Sequence, residues 1–207
     1  MKKYFISLLS LLVLIINPLV IQAVEDFGIK GGVNFSGWQV SGALLENQQK
    51  LGFNIGVHAD LKLNDSFSIQ PEILFISKGY YTNGTIMDPE TRMIYTIEET
   101  GMLDYLEIPV LLNFHLSENV KIMAGPYFAY NLGAKVEYKV AGYTETAPLD
   151  NFICNTDYGA LLGLAYNKNN ISFEIRYEQG LANILRNVSP GCKASNYSLS
   201  AFYSVKI

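Results

Sequence analysis

Leu106-Glu107-Ile108-Pro109-Val110-Leu111-Leu112-Asn113-Phe114-His115-Leu116, then Ser117-Glu118-Asn119, then Val120-Lys121-Ile122-Met123-Ala124, is the stretch that decides the fold class. Leu106, Ile108, Val110, Leu112, Phe114 and Leu116 share one face, and Glu107, Asn113 and His115 share the other, because successive side chains of a β-strand point to opposite sides. Ser117-Glu118-Asn119 bond locally and tolerate left-handed backbone, so the chain reverses at once. The next strand opens with the same alternation, carrying Val120, Ile122, Ala124, Phe128, Tyr130 and Leu132 on its apolar face.

Working outward, six more stretches repeat the pattern. Phe27, Ile29, Val33 and Phe35 oppose Lys30, Asn34 and Ser36. Phe53 to Leu63 oppose Asn54, His58, Asp60 and Lys62, and Phe67, Ile69, Ile73 and Phe75 oppose Ser68, Gln70 and Glu72. Tyr158 to Tyr166, Ile171 to Tyr177 and Tyr197 to Ile207 complete the set. The count is eight strands, an even number as bacterial outer-membrane barrels require. Connections sort by length as well. Asn64-Asp65-Ser66, Ser117-Glu118-Asn119 and Asn167-Lys168-Asn169-Asn170 are tight turns, whereas Trp38 to Gln49, Lys78 to Gly101, Ala134 to Ile153 and Leu181 to Ala194 are far longer than connections usual inside a compact domain. Short turns on one rim and long loops on the other describe an all-β, eight-stranded antiparallel up-and-down transmembrane β-barrel, with short periplasmic turns and four long extracellular loops.

Composition separates this reading from a soluble barrel, which alternates equally well with its apolar face inside. Charged residues make up 16% of the chain, against about a quarter in soluble proteins, while hydrophobic residues make up 49%. Tyr105, Tyr127, Tyr130, Tyr158, Tyr166 and Tyr203 stand near strand ends, where amphipathic rings favour the membrane interface. Outer-membrane lipid is therefore the expected surrounding, the cell outer membrane the expected location and a monomer the expected state. A net charge of −4 without any block of like charges speaks against nucleic acid as a partner.

Lys2 and Lys3 precede an apolar run from Phe5 to Ile16, followed by Asn17-Pro18 and the small residue Ala23. That is the layout of a secretory signal peptide. The expected organisation is thus a signal peptide over 1–23 and one barrel domain over 24–207, with a retained anchor as the alternative.

The segments Gly28-Ile29-Lys30-Gly31-Gly32-Val33-Asn34-Phe35-Ser36, Gln70 to Gly79, Tyr105 to Leu112, Gly125-Pro126-Tyr127 and Asp157-Tyr158-Gly159 resemble the PorT-like outer-membrane β-barrel family of Bacteroidetes. The resemblance implies fold and location, and through the family's namesake it implies an accessory place in a protein-secretion apparatus, with envelope or secretion proteins as partners. It supplies no catalytic residues.

On this phase Lys30, His58, Asp60, Lys62, Glu72, Glu107, Lys121, Asp157, Glu174, Arg176 and Glu178 point inward, six acids against four bases with His58 neutral. An eight-stranded barrel is just wide enough inside for side chains to fill. The expectation is a plugged, ion-paired interior in which Glu72, Glu107 and Arg176 meet, with Glu174 and Glu178 flanking Arg176; the alternative is a narrow polar conduit. Pro71 and Pro109, which cannot donate to the ladder, are expected at bulges or kinks. His58 lies mid-strand and His115 beside a periplasmic turn, so neither stands where an outer-rim protease or a lipid deacylase would use it. No metal-ligand spacing, phosphate loop or nucleophile elbow occurs, and the chain is read as non-enzymatic and without cofactor. Cys154 and Cys192, an even pair in an exported chain, are expected to form a disulfide between the third and fourth long loops. Three roles stay open: a structural or surface-interaction protein, a secretion accessory, and a narrow small-solute channel.

Overall fold

The computed structural model describes residues 24–40, 48–87, 89, 92–186 and 194–206. They form β1 (Val24–Val40), β2 (Gln48–Lys62), β3 (Phe67–Met87), β4 (Ile94–His115), β5 (Val120–Val140), β6 (Tyr143–Pro148), β7 (Thr156–Lys168), β8 (Ile171–Gly180) and β9 (Ala194–Lys206). Each strand pairs antiparallel with its neighbour, and β1 pairs with both β2 and β9, so the sheet closes on itself. β4 pairs β5 and β5 pairs β7. The ring therefore holds eight strands, and β6 lies outside it on an extension of β5.

The alternation is realised as a lipid-facing exterior. Ile175 is 62% exposed while its neighbour Arg176 is 0% exposed, a reversal that no water-soluble barrel would make. Phe27, Phe53, Val110, Leu112, Phe128, Leu162 and Phe173 join Ile175 outside. At the periplasmic rim, Asn64 Oδ1 accepts from the amides of Ser66 and Phe67 at 2.9 and 3.0 Å, and Ser117 Oγ accepts from Val120 at 3.2 Å. Asn169 holds a positive φ of 55°, which Asn tolerates better than most residues.

Two of the four long connections turn out to be strand pairs rather than loops. β3 and β4 stay paired from Lys78↔Leu103 out to Met87↔Ile94, Ala134 to Val140 pairs with β4, and Lys135 to Val140 pairs with β6 as well. Tyr80-Tyr81-Thr82 and Tyr95-Thr96-Ile97 are aromatic and β-branched, which suits a pleated surface. Ala141 and Gly142, at φ 51° and 85°, make the two-residue reversal between β5 and β6 that needs positive φ at both centres.

The prolines narrow another expectation, removing the bulge and leaving the kink. Ladder pairs are missing just beyond Pro71↔Val110 and Pro109↔Tyr127, but the register is the same on both sides of each gap. Each proline interrupts pairing without an extra residue, so neither is a bulge. The offset in the β4–β5 ladder falls instead at Asp104/Tyr105.

The interior is two-sided. Lys30, Asn34, Asn54, Ser172, Glu174, Arg176 and Ser200 make a polar wall, whereas Leu74, Ile76, Leu103, Leu111, Met123 and Leu161 make an apolar one. Inward glycines let paired neighbours coil closely: a Cβ on Gly56 of β2 would stand 2.1 Å from the Ile73 carbonyl oxygen of β3, and one on Gly159 of β7 would stand 2.1 Å from that of Gln179 of β8.

Candidate functional site

Strand phase brings the inward charges into stacked layers. In the middle layer Arg176 donates from Nη1 to Glu72 Oε2 at 2.7 Å and from Nη2 to Glu72 Oε1 at 2.6 Å and Glu174 Oε2 at 2.5 Å. Lys30 Nζ donates to Glu72 at 2.9 Å and Glu174 at 2.7 Å. Two cations thus face two carboxylates and the quartet is neutral. Phe202 lies against it, its ring centroid 4.7 Å from both Lys30 Nζ and Arg176 Cζ.

Glu107 does not join Arg176. It belongs to the next layer outward, where Lys78 Nζ stands 2.8 Å from Glu107 and 2.9 Å from Glu178 and 4.6 Å from the Tyr127 ring centroid. Sequence reading ended the third strand before Lys78 and so missed this residue. The available signal was its phase, an even number of residues from Glu72. Beside this layer Asn196 Nδ2 donates to Asp157 at 2.8 Å and Tyr127 donates to Asp157 at 3.3 Å.

Toward the periplasm Lys121 donates to Asp60 at 2.9 Å and to Gln70 Oε1 at 2.7 Å, and His115 Nε2 lies 3.0 Å from Ser68 Oγ. His58 is buried with its ring laid over Gly28. Below these groups a cavity of about 260 Å³ opens at the periplasmic mouth, lined by Asp26, Lys62, Glu118 and Asn167 among others. Among the described residues no group of three or more His, Cys, Asp or Glu is placed to hold a metal ion.

The extracellular mouth is closed by apolar side chains. Trp38 of β1 packs on Tyr80 of β3, ring centroids 4.2 Å apart, above Leu103, Ala134 and Ile153, all buried. The Tyr80 hydroxyl donates to Glu99; burial and this bond push its pKa well above the ordinary tyrosine value. Ile153 bridges to Leu185, Cys154 N donates to Ile184 O at 2.7 Å, and Arg186 reaches Asn155 at 2.7 Å. The third and fourth connections are thus tied together beside Cys154. Cys192, its expected disulfide partner, lies outside the described residues.

Above that plug β3, β4, β5 and β6 continue as a four-stranded outer sheet. Register places Thr82, Glu99, Tyr138 and Glu145 side by side on the face continuous with the lumen wall, with Ile97, Val140 and Tyr143 in the next row. Tyr138 is 37% exposed and Tyr143 82%. The opposite face carries Glu98 across from Lys139, and Lys139 also pairs with Glu137 at 3.2 Å. Partial burial, with Glu99 nearby, raises the Tyr138 pKa.

A family model described as outer membrane protein beta-barrel domain matches residues 25–186. Among solved structures, Neisserial surface protein A is 16% identical with a TM-score of 0.46, the match covering 87% of this chain and 97% of that one. Ail, the attachment invasion locus protein of Yersinia pestis, is 16% identical with a TM-score of 0.42, covering 87% and 99%. The outer membrane protease OmpT from Escherichia coli is 8% identical with a TM-score of 0.42, covering 89% and 97%. No curated protein matches the sequence.

Proposed function

Because the chain belongs to the outer membrane protein beta-barrel domain family and sits in the outer membrane, we propose that it is a non-enzymatic surface-interaction protein whose working part is the outer sheet beyond the plug. The observation that carries this reading is the filled lumen. Lys30, Glu72, Lys78, Glu107, Glu174, Arg176 and Glu178 are all 2% exposed or less, and the apolar plug of Trp38, Tyr80 and Leu103 stands above them. A barrel filled by its own side chains serves as a rigid mount, and long extramembrane segments on rigid scaffolds carry function disproportionately. The ion-paired layers, on this reading, hold the mount together rather than select solutes. Residues 1–23 are removed on export, the barrel is monomeric, and Cys154 and Cys192 lock the third and fourth connections.

The test is display of the chain on cells beside a variant in which residues 83–98 are replaced by Asn-Gly. Adhesion of the parent to protein-coated surfaces, lost in the shortened variant with barrel folding unchanged, supports the reading. Equal adhesion of the two overturns it. The five segments that resemble PorT-like barrels favour a second reading, an accessory of a secretion apparatus. That reading requires a defined envelope protein to co-purify after crosslinking.

A further inference from the structure

The two faces of the outer sheet differ in charge. On the outer side Glu98, Glu137, Lys135 and Lys139 balance, and Glu98 and Glu137 are each placed against Lys139. On the side continuous with the lumen wall, Glu99 and Glu145 are the charges borne by β3 to β6 beyond the plug among the described residues, and both are acidic. Glu99, Tyr138 and Glu145 stand in one row across β4, β5 and β6, an acid, an aromatic ring and an acid. Strands in a sheet lie about 4.8 Å apart, so the two carboxylates bracket the ring at about 10 Å from each other. Tyr143, 82% exposed, adds a second ring one row farther out.

Ring faces attract ammonium and guanidinium groups within about 6 Å of the centroid, and carboxylates bond the same groups with charge assistance. An acid–ring–acid row that, among the described residues of β3 to β6 beyond the plug, shares its face with no basic side chain is complementary to one from outside. Resting on the surface-interaction reading, we infer that this face is a docking platform for an extended, lysine- or arginine-rich polypeptide segment, which lays one basic side chain over Tyr138 between Glu99 and Glu145 and another over Tyr143 one row farther out. A sheet face exposed along its strands suits an extended chain better than a compact ligand. Its affinity depends on salt, because the pairs are partly exposed.

The test uses the refolded full chain in phosphatidylcholine nanodiscs and fluorescence anisotropy of a labelled decapeptide of alternating lysine and threonine. A glutamine–threonine decapeptide and maltoheptaose serve as comparison probes. Expected are binding of the lysine peptide that weakens with salt and little binding of the glutamine peptide. Glu99→Gln with Glu145→Gln is expected to weaken binding by about tenfold, whereas Glu98→Gln with Glu137→Gln, the same change in net charge on the other face, stays within about twofold. Since Glu99 is also bonded by Tyr80 at the plug, Glu145→Gln alone, at an exposed carboxylate, is expected to cost about threefold. Equal losses in the two double variants, no binding of the lysine peptide, or binding of maltoheptaose alone overturns the inference. If adhesion still depends on residues 83–98 in that event, the surface role stands and only the cationic partner falls.

Discussion

Arg176→Met tests the middle layer most sharply. The wild-type quartet sets Arg176 and Lys30 against Glu72 and Glu174, all four nearly inaccessible to water. Methionine keeps the bulk of the side chain against Phe202 but removes three hydrogen bonds and one positive charge. Lys30 is then left alone between two buried carboxylates. Breaking a buried pair by removing one partner costs about 3–5 kcal/mol, mostly from the charge left uncompensated. The same reasoning predicts partial rescue: Arg176→Met with Glu174→Gln restores neutrality, leaving Lys30 paired to Glu72, and should recover at least about half of the loss. The assay is urea unfolding of the refolded barrel in detergent, followed by the gel-mobility difference between folded and unfolded forms. A single variant within about 1 kcal/mol of the parent, or a double variant no better than the single one, refutes the account of a coupled neutral quartet.

The other layer behaves by the same logic. Lys78→Met leaves Glu107 and Glu178 facing each other without their shared ammonium, so it should destabilise by about 3 kcal/mol or more in the same unfolding assay, and Lys78→Arg by less. Ala141 holds φ at 51° without the freedom of glycine or the tolerance of asparagine, so Ala141→Asn should tighten the β5–β6 hairpin and slow its proteolytic nicking on intact cells. Reduction should shift the mobility of the denatured chain if Cys154 and Cys192 are bonded; no shift, with both thiols alkylated in the unreduced protein, removes the disulfide.

Most of the barrel was legible because one physical rule, the two-residue alternation, is enforced at every strand by lipid outside and a narrow lumen inside. Ile171 to Tyr177 shows it without interruption. It became hard to read where both faces are apolar: Leu111 and Leu161 break the alternation because the wall they face, with Met123 and Leu103, is itself apolar. The strands beyond the membrane were hidden for a different reason. From Lys78 to Met87 and from Ala134 to Val140 the outer face meets water rather than lipid, so its residues turn polar and the contrast with the inner face fades. Lys78 falls at that crossover, and without it Glu107 is set against Arg176 rather than against its actual partner. Which carboxylate meets which cation depends on strand stagger around the closed ring. Sequence phase alone does not contain that information.

A lumen filled by its own side chains leaves the protein to act outside it. Single-channel recording of the refolded protein in a planar bilayer, with heat-modifiable mobility confirming the folded barrel, tests it directly. A folded and electrically silent barrel is expected. Steady, reproducible conductance that changes its ion preference in Lys78→Met would contradict it and make the buried charge layers selectivity elements.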